Sequence, residues 1–430
     1  MRRLCSSVLL LSLVTVAAGA QSLSFERQRG LMMLEAVQKD LRDHYYDPAL
    51  RGIDLPALVA AAKEKVRAAQ SVGEIFTAIA QVTVAFDDSH TRFLPPERAQ
   101  TVEYGWTYRF VGDDAYVDWV AEDSDAARQG VAPGYRLREL AGFTPTRQNH
   151  QTLRYLLGTL RPQPSLRVVV EDLAGSRQTR DLAAKVVPHR QQIDVRNPND
   201  LEAAIGRYER ASRDRPRHLH VKLGEGVHLW RMPFFDLGAA EVDAHVDRFR
   251  NASTVLLDLR GNGGGGEETM LRLLGNFFER DVTLGTLRER KGARPLVARA
   301  RGGGRGYHGR LIVLVDSLSA SAAEVVARVL QLESRATIVG DRTAGAVTRA
   351  RFITHQLGTE VLVNYGTSVT IADLLHTDGQ SLERVGVIPD VIALPAPGDL
   401  TGARDLVLAR AAALAGLELD PADAARVDTR

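Results

Sequence analysis

The sequence predicts an α/β fold, because two stretches each run from an apolar strand through small residues directly into a helix. They are residues 254–266 (TVLLDLRGNGGGG) and residues 311–330 (LIVLVDSLSASAAEVVARVL). At such junctions an α/β fold exposes backbone N–H groups and short polar side chains, so an active site is expected there. Other β-like runs, at 227–232, 337–339 and 360–363, alternate with helical segments and extend the same predicted core.

The small residues at these junctions favour acyl-transfer chemistry. The glycine run allows close approach to a bound group, and Ser321 lies at the start of a predicted helix, whose positive dipole end favours an oxyanion. The pattern Gly261-x-Gly263-x-x-Gly266 also satisfies a dinucleotide-binding motif, with Glu279 near the distance expected for a ribose-binding acid. Such a unit normally begins its domain, whereas this strand follows an earlier part of the same predicted core. We therefore prefer acyl transfer.

Length and composition are ordinary for a soluble globular protein with two or three domains: 430 residues, 44% of them apolar and 25% charged. A formal net charge of +2 gives no reason to expect a nucleic-acid partner. The basic residues are almost all arginines, and no lysine follows Lys291.

The first 20 residues are typical of a secretory signal peptide. Arg2 and Arg3 precede an apolar segment at 8–18, and cleavage is expected after Ala20. An uncleaved anchor is the alternative, but the apolar run is shorter than the roughly 20 residues that span a bilayer. We expect a periplasmic or secreted protein without a stable membrane anchor. Because Cys5 lies inside this segment, the mature chain would have no cysteine nucleophile or disulfide.

The rest of the chain divides into four predicted segments. Residues 21–100 show helical spacing up to about residue 85 and form an N-terminal helical cap, which ends in the loop FDDSHTRFLPP at 86–96. Residues 101–190 contain short β-like runs at 116–120, 136–140 and 166–171, with a helix at 151–160. Residues 191–400 form the α/β core, in which the basic, glycine-rich stretch 288–310 is predicted to be a loop. Residues 401–430 form a helical tail.

The segment 120–134 (VAEDSDAARQGVAPG) resembles a PDZ pattern, in which a strand leads to a short helix, a glycine and a Pro-Gly turn. Many bacterial PDZ domains carry aspartate after that turn, where this chain has Tyr135. A purely structural β domain is therefore the alternative to a domain that binds peptide C-termini.

Four motifs together resemble the S41 serine peptidases, the C-terminal processing or tail-specific peptidases. They are DLRGNGGG at 258–265, SASAAE at 319–324, ATIVGDRTAG at 336–345 and ERVGVIPD at 383–390. The resemblance extends over nearly the whole mature chain and implies a crotonase-like (ClpP/crotonase) peptidase core beside the helical cap and the PDZ-like domain.

The resemblance implies a mechanism without lysine. Processing peptidases of this family use a Ser-Lys dyad, and the position of that lysine is Ala346 here. Arginine cannot replace lysine as a base, since its pKa is above ~12. The branch of the family typified by the tricorn core instead uses a serine, a histidine in a Ser-His loop and a glutamate.

Carried over to this chain, that branch makes Ser321 the nucleophile and His90 the general base, while Ser89 and Glu383 orient the imidazole. The oxyanion N–H groups would come from Gly264 and Ala322, with Gly263 as the nearest competitor for the first.

Taken singly, these residues have simpler interpretations. Ser321 could be only a helix start, His90 a solvated loop histidine, and Glu383 the ion-pair partner of an arginine. Asp87 and Asp88 are interpreted as turn formers. His218-x-His220 has spacing suitable for a metal, but no third ligand is evident, so we interpret it as a solvent-facing strand and predict no metal site.

We predict an exported serine endopeptidase that hydrolyses peptides or unfolded protein tails through an acyl-enzyme and needs no cofactor. The alternative is a catalytically inactive protein of the same fold that binds a peptide or an apolar ligand, because photoreceptor retinoid-binding proteins are built from similar modules. Oligomeric state is not predicted.

Overall fold

The structure is a computed structural model that describes residues 5–98, 100–188, 216–358 and 363–429. The α-helices are α1 (Cys5–His44), α2 (Leu55–Ala68), α3 (Val72–Val84), α4 (Asp125–Arg128), α5 (His150–Tyr155), α6 (Ala239–Asp247), α7 (Glu267–Gly275), α8 (Ala322–Leu332), α9 (Leu406–Leu414) and α10 (Pro421–Ala425). Within the described ranges, no helix is long and apolar enough to cross a membrane.

The strands belong to one six-stranded sheet, two five-stranded sheets and one pair. They are β1 (Arg92–Leu94), β2 (Gln100–Glu103), β3 (Trp106–Val111), β4 (Asp114–Val120), β5 (Arg136–Leu140), β6 (Ser165–Glu171), β7 (Arg177–Ala183), β8 (Lys185–Pro188), β9 (Leu219–Gly224), β10 (Val227–Arg231), β11 (Thr254–Asp258), β12 (Val282–Glu289), β13 (Gly292–Ala298), β14 (Arg310–Val315), β15 (Ala336–Gly340), β16 (Arg349–Leu357), β17 (Val363–His376) and β18 (Val391–Ile392). β2 pairs only with β8.

The helices α1, α2 and α3 pack together at the N-terminal side of the molecule. The side chains of Asp54 and Ser71 accept hydrogen bonds from backbone N–H groups and so begin α2 and α3. Leu34, Val37 and Leu41 recur at helical spacing in α1 and are fully buried against the other two helices and β17. Side chains of the predicted signal segment lie outside the described residues, so cleavage stays a prediction.

A six-stranded sheet forms the centre of the core, in the order β18-β15-β14-β11-β10-β9. Its strands are parallel except β9, which pairs antiparallel with β10. Alternate side chains serve opposite faces: Leu257 and Val313 pack with α6, α7 and α8, while Leu256 and Ile312 pack with α9. Burial on both faces explains the continuous apolar runs at 254–259 and 311–315, and confirms the predicted α/β core.

Another sheet, of five strands, joins the cap to the core. Its long strand β17 pairs with β1, β12 and β16. Through β1, the Ser-His loop is attached to this sheet. The prediction of a loop over 288–310 is wrong in part, because residues 292–298 form β13 and pair with β12. The many glycines and arginines of this stretch gave no indication of β13, a strand that is stabilised by its neighbour β12. The predicted strand at 360–363 lies almost entirely outside the described residues.

Residues 106–183 form an antiparallel sheet, β3-β4-β5-β6-β7, that contains the predicted runs in β4, β5 and β6. This β domain rests on the core beside the loop that leads to Ser321. Arg109 pairs with Asp316 at 3.2 Å, Arg147 pairs with Asp341 at 2.8 Å, and the Ser317 hydroxyl donates to a backbone carbonyl of β3.

Candidate active site

Ser321 occupies a sharp turn between β14 and α8. Its φ of 56° and ψ of −120° are unusual for a residue with a side chain, and such a conformation typically costs about 1–3 kcal/mol. The Ser321 N–H donates to the carbonyl of Ala346 at 2.9 Å, and within the described residues its hydroxyl makes no hydrogen bond. The turn thus presents an unengaged hydroxyl at the start of a helix.

Glu324 lies one turn into α8 and fixes this turn from inside. It is fully buried and accepts hydrogen bonds from the N–H groups of Ser321, Gly345 and Ala346 and from the Thr343 hydroxyl. Burial raises the pKa of Glu324 to about 7, against the opposing effect of these donors. No role for Glu324 was predicted from the sequence, although Ser-x-x-Glu at a helix start is the signal of a capping box.

The predicted oxyanion residues lie beside Ser321. A Cβ on Gly264, whose φ is +98°, would fall 2.6 Å from the Ser321 Cβ and 3.1 Å from the Ala322 nitrogen. The Gly264 N–H already donates to Asn262 Oδ1 at 2.8 Å. For the N–H groups of Gly263 and Ala322, the described residues provide no acceptor. Gly264 therefore shapes the site by close approach, while two neighbouring donors are free.

His90, Ser89 and Glu383 form one hydrogen-bonded group. The Ser89 hydroxyl lies 2.6 Å from His90 Nδ1 and donates to Glu383 Oε2 at 3.0 Å. Glu383 also accepts from the N–H groups of Ser89, Val347 and Thr348. These contacts orient the His90 ring through Nδ1 and leave its other nitrogen out of the group.

Asp88 holds the Ser-His loop. Its carboxylate is buried and accepts from the N–H groups of His90 and Thr91, and from the hydroxyls of Tyr45, Thr91 and Thr370. Our interpretation of Asp88 as a turn former was too narrow, because these bonds tie the loop to Tyr45, directly after α1, and to β17. Asp87 is exposed and pairs with Arg384.

The serine and histidine groups meet at residues 346–348. Ala346 binds Ser321, while the N–H groups of Val347 and Thr348 bind Glu383, and the Thr348 hydroxyl lies 3.0 Å from His90 Nδ1. The described residues include no hydrogen bond between His90 and the Ser321 hydroxyl. Catalytic hydrogen bonds are often long in ligand-free sites and shorten on substrate binding.

Burial dominates the electrostatics of this site. Burial, with a smaller contribution from the Arg92 guanidinium, lowers the pKa of His90 to about 4, while Asp88 acts in the opposite direction. Burial raises the pKa of Glu383, which the hydrogen bonds from Val347 and Ser89 oppose. The imidazole is therefore neutral at neutral pH, which is the state a general base requires.

The His218-x-His220 segment is not a solvent-facing strand, so that interpretation is wrong. Both side chains are partly buried in a cluster with His228, His245 and Trp230. His220 lies 3.0 Å from His228 and 2.7 Å from His245, nitrogen to nitrogen. Across the described part of the chain, no three or more acidic, histidine or cysteine side chains are placed to hold a metal ion.

Comparison with known proteins finds similarity to one family of peptidases. Residues 227–393 match the model of peptidase family S41. The chain is 23% identical over 368 residues to the chloroplastic carboxyl-terminal-processing peptidase 3 of Arabidopsis thaliana, covering 82% of this chain and 66% of that protein. It is 23% identical over 327 residues to the carboxyl-terminal-processing protease of Synechocystis, covering 74% of this chain and 71% of the relative.

A solved structure shares the architecture. Mature CPAF complexed with lactacystin superposes with a TM-score of 0.63, covering 88% of this chain and 96% of that one at 16% identity. At this identity the likeness concerns the mixed α/β fold alone.

Proposed function

We propose, from the match of residues 227–393 to peptidase family S41, that this chain is a serine-type peptidase and hydrolyses peptide bonds through an acyl-enzyme on Ser321 with His90 as general base. The observation that carries the proposal is the hydrogen-bonded group of Ser89, His90 and Glu383, which segment 346–348 links to the turn of Ser321.

The proposed reaction uses the free nitrogen of His90. When substrate binds, His90 Nε2 takes the proton from the Ser321 hydroxyl as its oxygen attacks the scissile carbonyl carbon. The negative charge that develops on the carbonyl oxygen is stabilised by the Ala322 N–H and by that of Gly264 or Gly263. His90 then gives its proton to the leaving amine. Water, activated by the same imidazole, cleaves the ester and restores Ser321.

The Gly264 donor requires a rearrangement that the Gly263 donor does not. The Gly264 N–H would exchange its bond to Asn262 for one to the oxyanion, whereas the Gly263 N–H has no acceptor among the described residues. Both remain candidates for the first donor.

The absence of the family lysine is consistent with this mechanism. Ala346, at the lysine position, is buried, and both its N–H and its carbonyl are used to hold Glu324 and Ser321. Proton transfer is therefore assigned to a neutral imidazole.

The substrates that we propose are peptides or unfolded protein tails, since the relatives are named as carboxyl-terminal-processing proteases. We also propose that the core is crotonase-like, that residues 101–190 form a PDZ-like domain, and that the enzyme is exported after cleavage behind Ala20. The apolar segment at 8–18 supports export.

The test is labelling with a fluorophosphonate, which reacts with activated serines. We expect the mature protein to be labelled at Ser321, and labelling to disappear in Ser321→Ala and His90→Ala variants, with the modified residue located by peptide mapping. A folded wild-type protein that stays unlabelled would overturn the proposal and favour a non-catalytic ligand-binding protein. Labelling that persists in His90→Ala would overturn only the role of His90.

A further inference from the structure

We propose that a second hydroxyl relay, from Thr348 through Thr370 to Asp88, holds His90 in its reactive tautomer in parallel with Ser89 and Glu383. This inference rests on the proposed role of His90. Thr348, Thr370 and Asp88 would be positioning residues, which act through the imidazole rather than on the substrate.

The starting observation is that His90 Nδ1 has two hydroxyl neighbours. Ser89 Oγ lies at 2.6 Å and Thr348 Oγ1 at 3.0 Å. A neutral imidazole nitrogen is either a donor or an acceptor, so the protons of these two hydroxyls determine which tautomer is present.

The first relay has one consistent direction. An ionised carboxylate only accepts, so the Ser89 hydroxyl donates its proton to Glu383 Oε2 at 3.0 Å. Having one proton, Ser89 Oγ can then only accept from His90, which places the hydrogen on Nδ1.

The second relay gives the same result by a different route. The Thr370 hydroxyl donates to Asp88 Oδ1 at 2.8 Å, so its oxygen can accept from the Thr348 hydroxyl, which lies 3.4 Å away. Thr348 Oγ1 is then an acceptor toward His90 Nδ1–H. Both relays leave Nε2 unprotonated, as a base that attacks the Ser321 proton requires.

Burial makes the second relay effective. Thr348 is 4% exposed, Thr370 is fully buried and Asp88 is 9% exposed, so bulk water is poorly placed to replace their hydrogen bonds. The two relays end on different carboxylates and share no side chain except His90. Removing one hydroxyl therefore leaves the Nδ1–H group with an acceptor. Removing both hydroxyls leaves this N–H group without a hydrogen-bond partner in a buried site.

The experiment is a double-mutant cycle with Ser89→Ala and Thr348→Val, read as the second-order rate of Ser321 labelling by a fluorophosphonate. Both substitutions keep the backbone N–H groups that bind Glu383. We expect each single variant to lose about tenfold and the double variant about 10³-fold, which exceeds the product of the single effects. In ¹⁵N spectra of histidine-labelled protein, His90 should keep its Nδ1–H tautomer in both single variants and lose it in the double.

Two controls separate this role from a loss of stability. Thr348→Ser keeps the hydroxyl and should restore the wild-type rate. Thr367→Val removes another buried hydroxyl of β17, one that has no hydrogen-bond partner among the described residues, and should leave the rate unchanged. Melting temperatures of all variants identify any that fold poorly.

The proposal is overturned if Thr348→Val labels like wild type and the double variant labels like Ser89→Ala. It is also overturned if Thr348→Ser fails to rescue a slow Thr348→Val. Neither result touches the proposed hydrolase function, which fails separately if Ser321 is unlabelled; normal labelling of His90→Ala would instead overturn the role of His90 on which this inference rests.

Discussion

The serine half and the histidine half of the site are built by different means. Ser321 is placed by the backbone: a strand end, a turn with positive φ, a glycine in van der Waals contact and a helix start. His90 is placed by side chains that come from distant segments, with 258 residues between it and Thr348 and 294 between Ser89 and Glu383. The serine half should therefore be sensitive to added volume, and the histidine half to lost hydrogen-bonding groups.

The largest effect is expected from Gly264→Ala in the serine half. The new methyl would lie 2.6 Å from the Ser321 Cβ, at a backbone φ of +98° that side chains rarely adopt. We expect labelling of Ser321 to fall at least about 100-fold and stability to fall by roughly 1–3 kcal/mol. Labelling rates and urea unfolding measure the two effects.

The matched control is Gly263→Ala, because a Cβ at Gly263 would meet no atom within 4 Å and its φ is not positive. Equal losses of Ser321 labelling in the two variants would mean that the glycine loop as a whole, rather than contact of residue 264 with Ser321, sets the geometry of the site.

The next effect is expected from Asp88→Asn in the histidine half. The amide replaces an acceptor oxygen with a donor facing N–H and O–H groups, so at least one of them loses its partner. We expect roughly 1–3 kcal/mol of destabilisation and a fall of about tenfold or more in Ser321 labelling. Asp87→Asn should change neither, since that side chain is exposed, and an equal effect of the two substitutions would contradict the assignment of Asp88.

The sequence indicates the serine half more clearly than the histidine half, because the first is built by one local segment and the second by side chains from distant segments. The stretch 311–330 shows a strand, a turn and a helix within one short segment, so local patterns suffice to predict the helix start at Ser321, whose role as nucleophile came from the family resemblance. His90 was reached only through family resemblance, because nothing in a Ser-His pair indicates which distant residues it contacts. Thr348, Thr370 and Asp88 were missed, since their roles depend on pairing between β1, β17 and the segment before β16. The strand β13 was missed because its stability comes from β12 rather than from its own composition.

A pH-dependent effect on stability is expected from Glu324. Its pKa is about 7 in the folded protein against 4.5 for an ordinary glutamate, so between these pH values the folded state binds a proton that the unfolded state has lost. The contribution of Glu324 to stability is therefore greatest below pH 4.5 and declines as pH rises toward 7, by roughly 3 kcal/mol. Because Glu324→Gln does not titrate, the melting temperature of wild type relative to this variant should fall from pH 5 to pH 8. A difference in melting temperature between wild type and this variant that stays constant from pH 5 to pH 8 would show that Glu324 titrates below this pH range.

The smallest effect is expected from Arg92, whose guanidinium lowers the pKa of His90. Since the pKa of His90 is about 4, the labelling rate should stay level from pH 8 to about pH 5 and fall below that as the imidazole is protonated. Arg92→Gln removes a cation that lowers this pKa, so the fall should begin at a higher pH, by up to about one unit. Arg384→Gln is the matched control. Arg384 is an exposed arginine in the same neighbourhood, and it has no resolved effect on the pKa of His90. If both variants shift the profile equally, His90 responds to the net charge of the region. A shift confined to Arg92→Gln would show that a neighbouring side chain tunes the base in the histidine half.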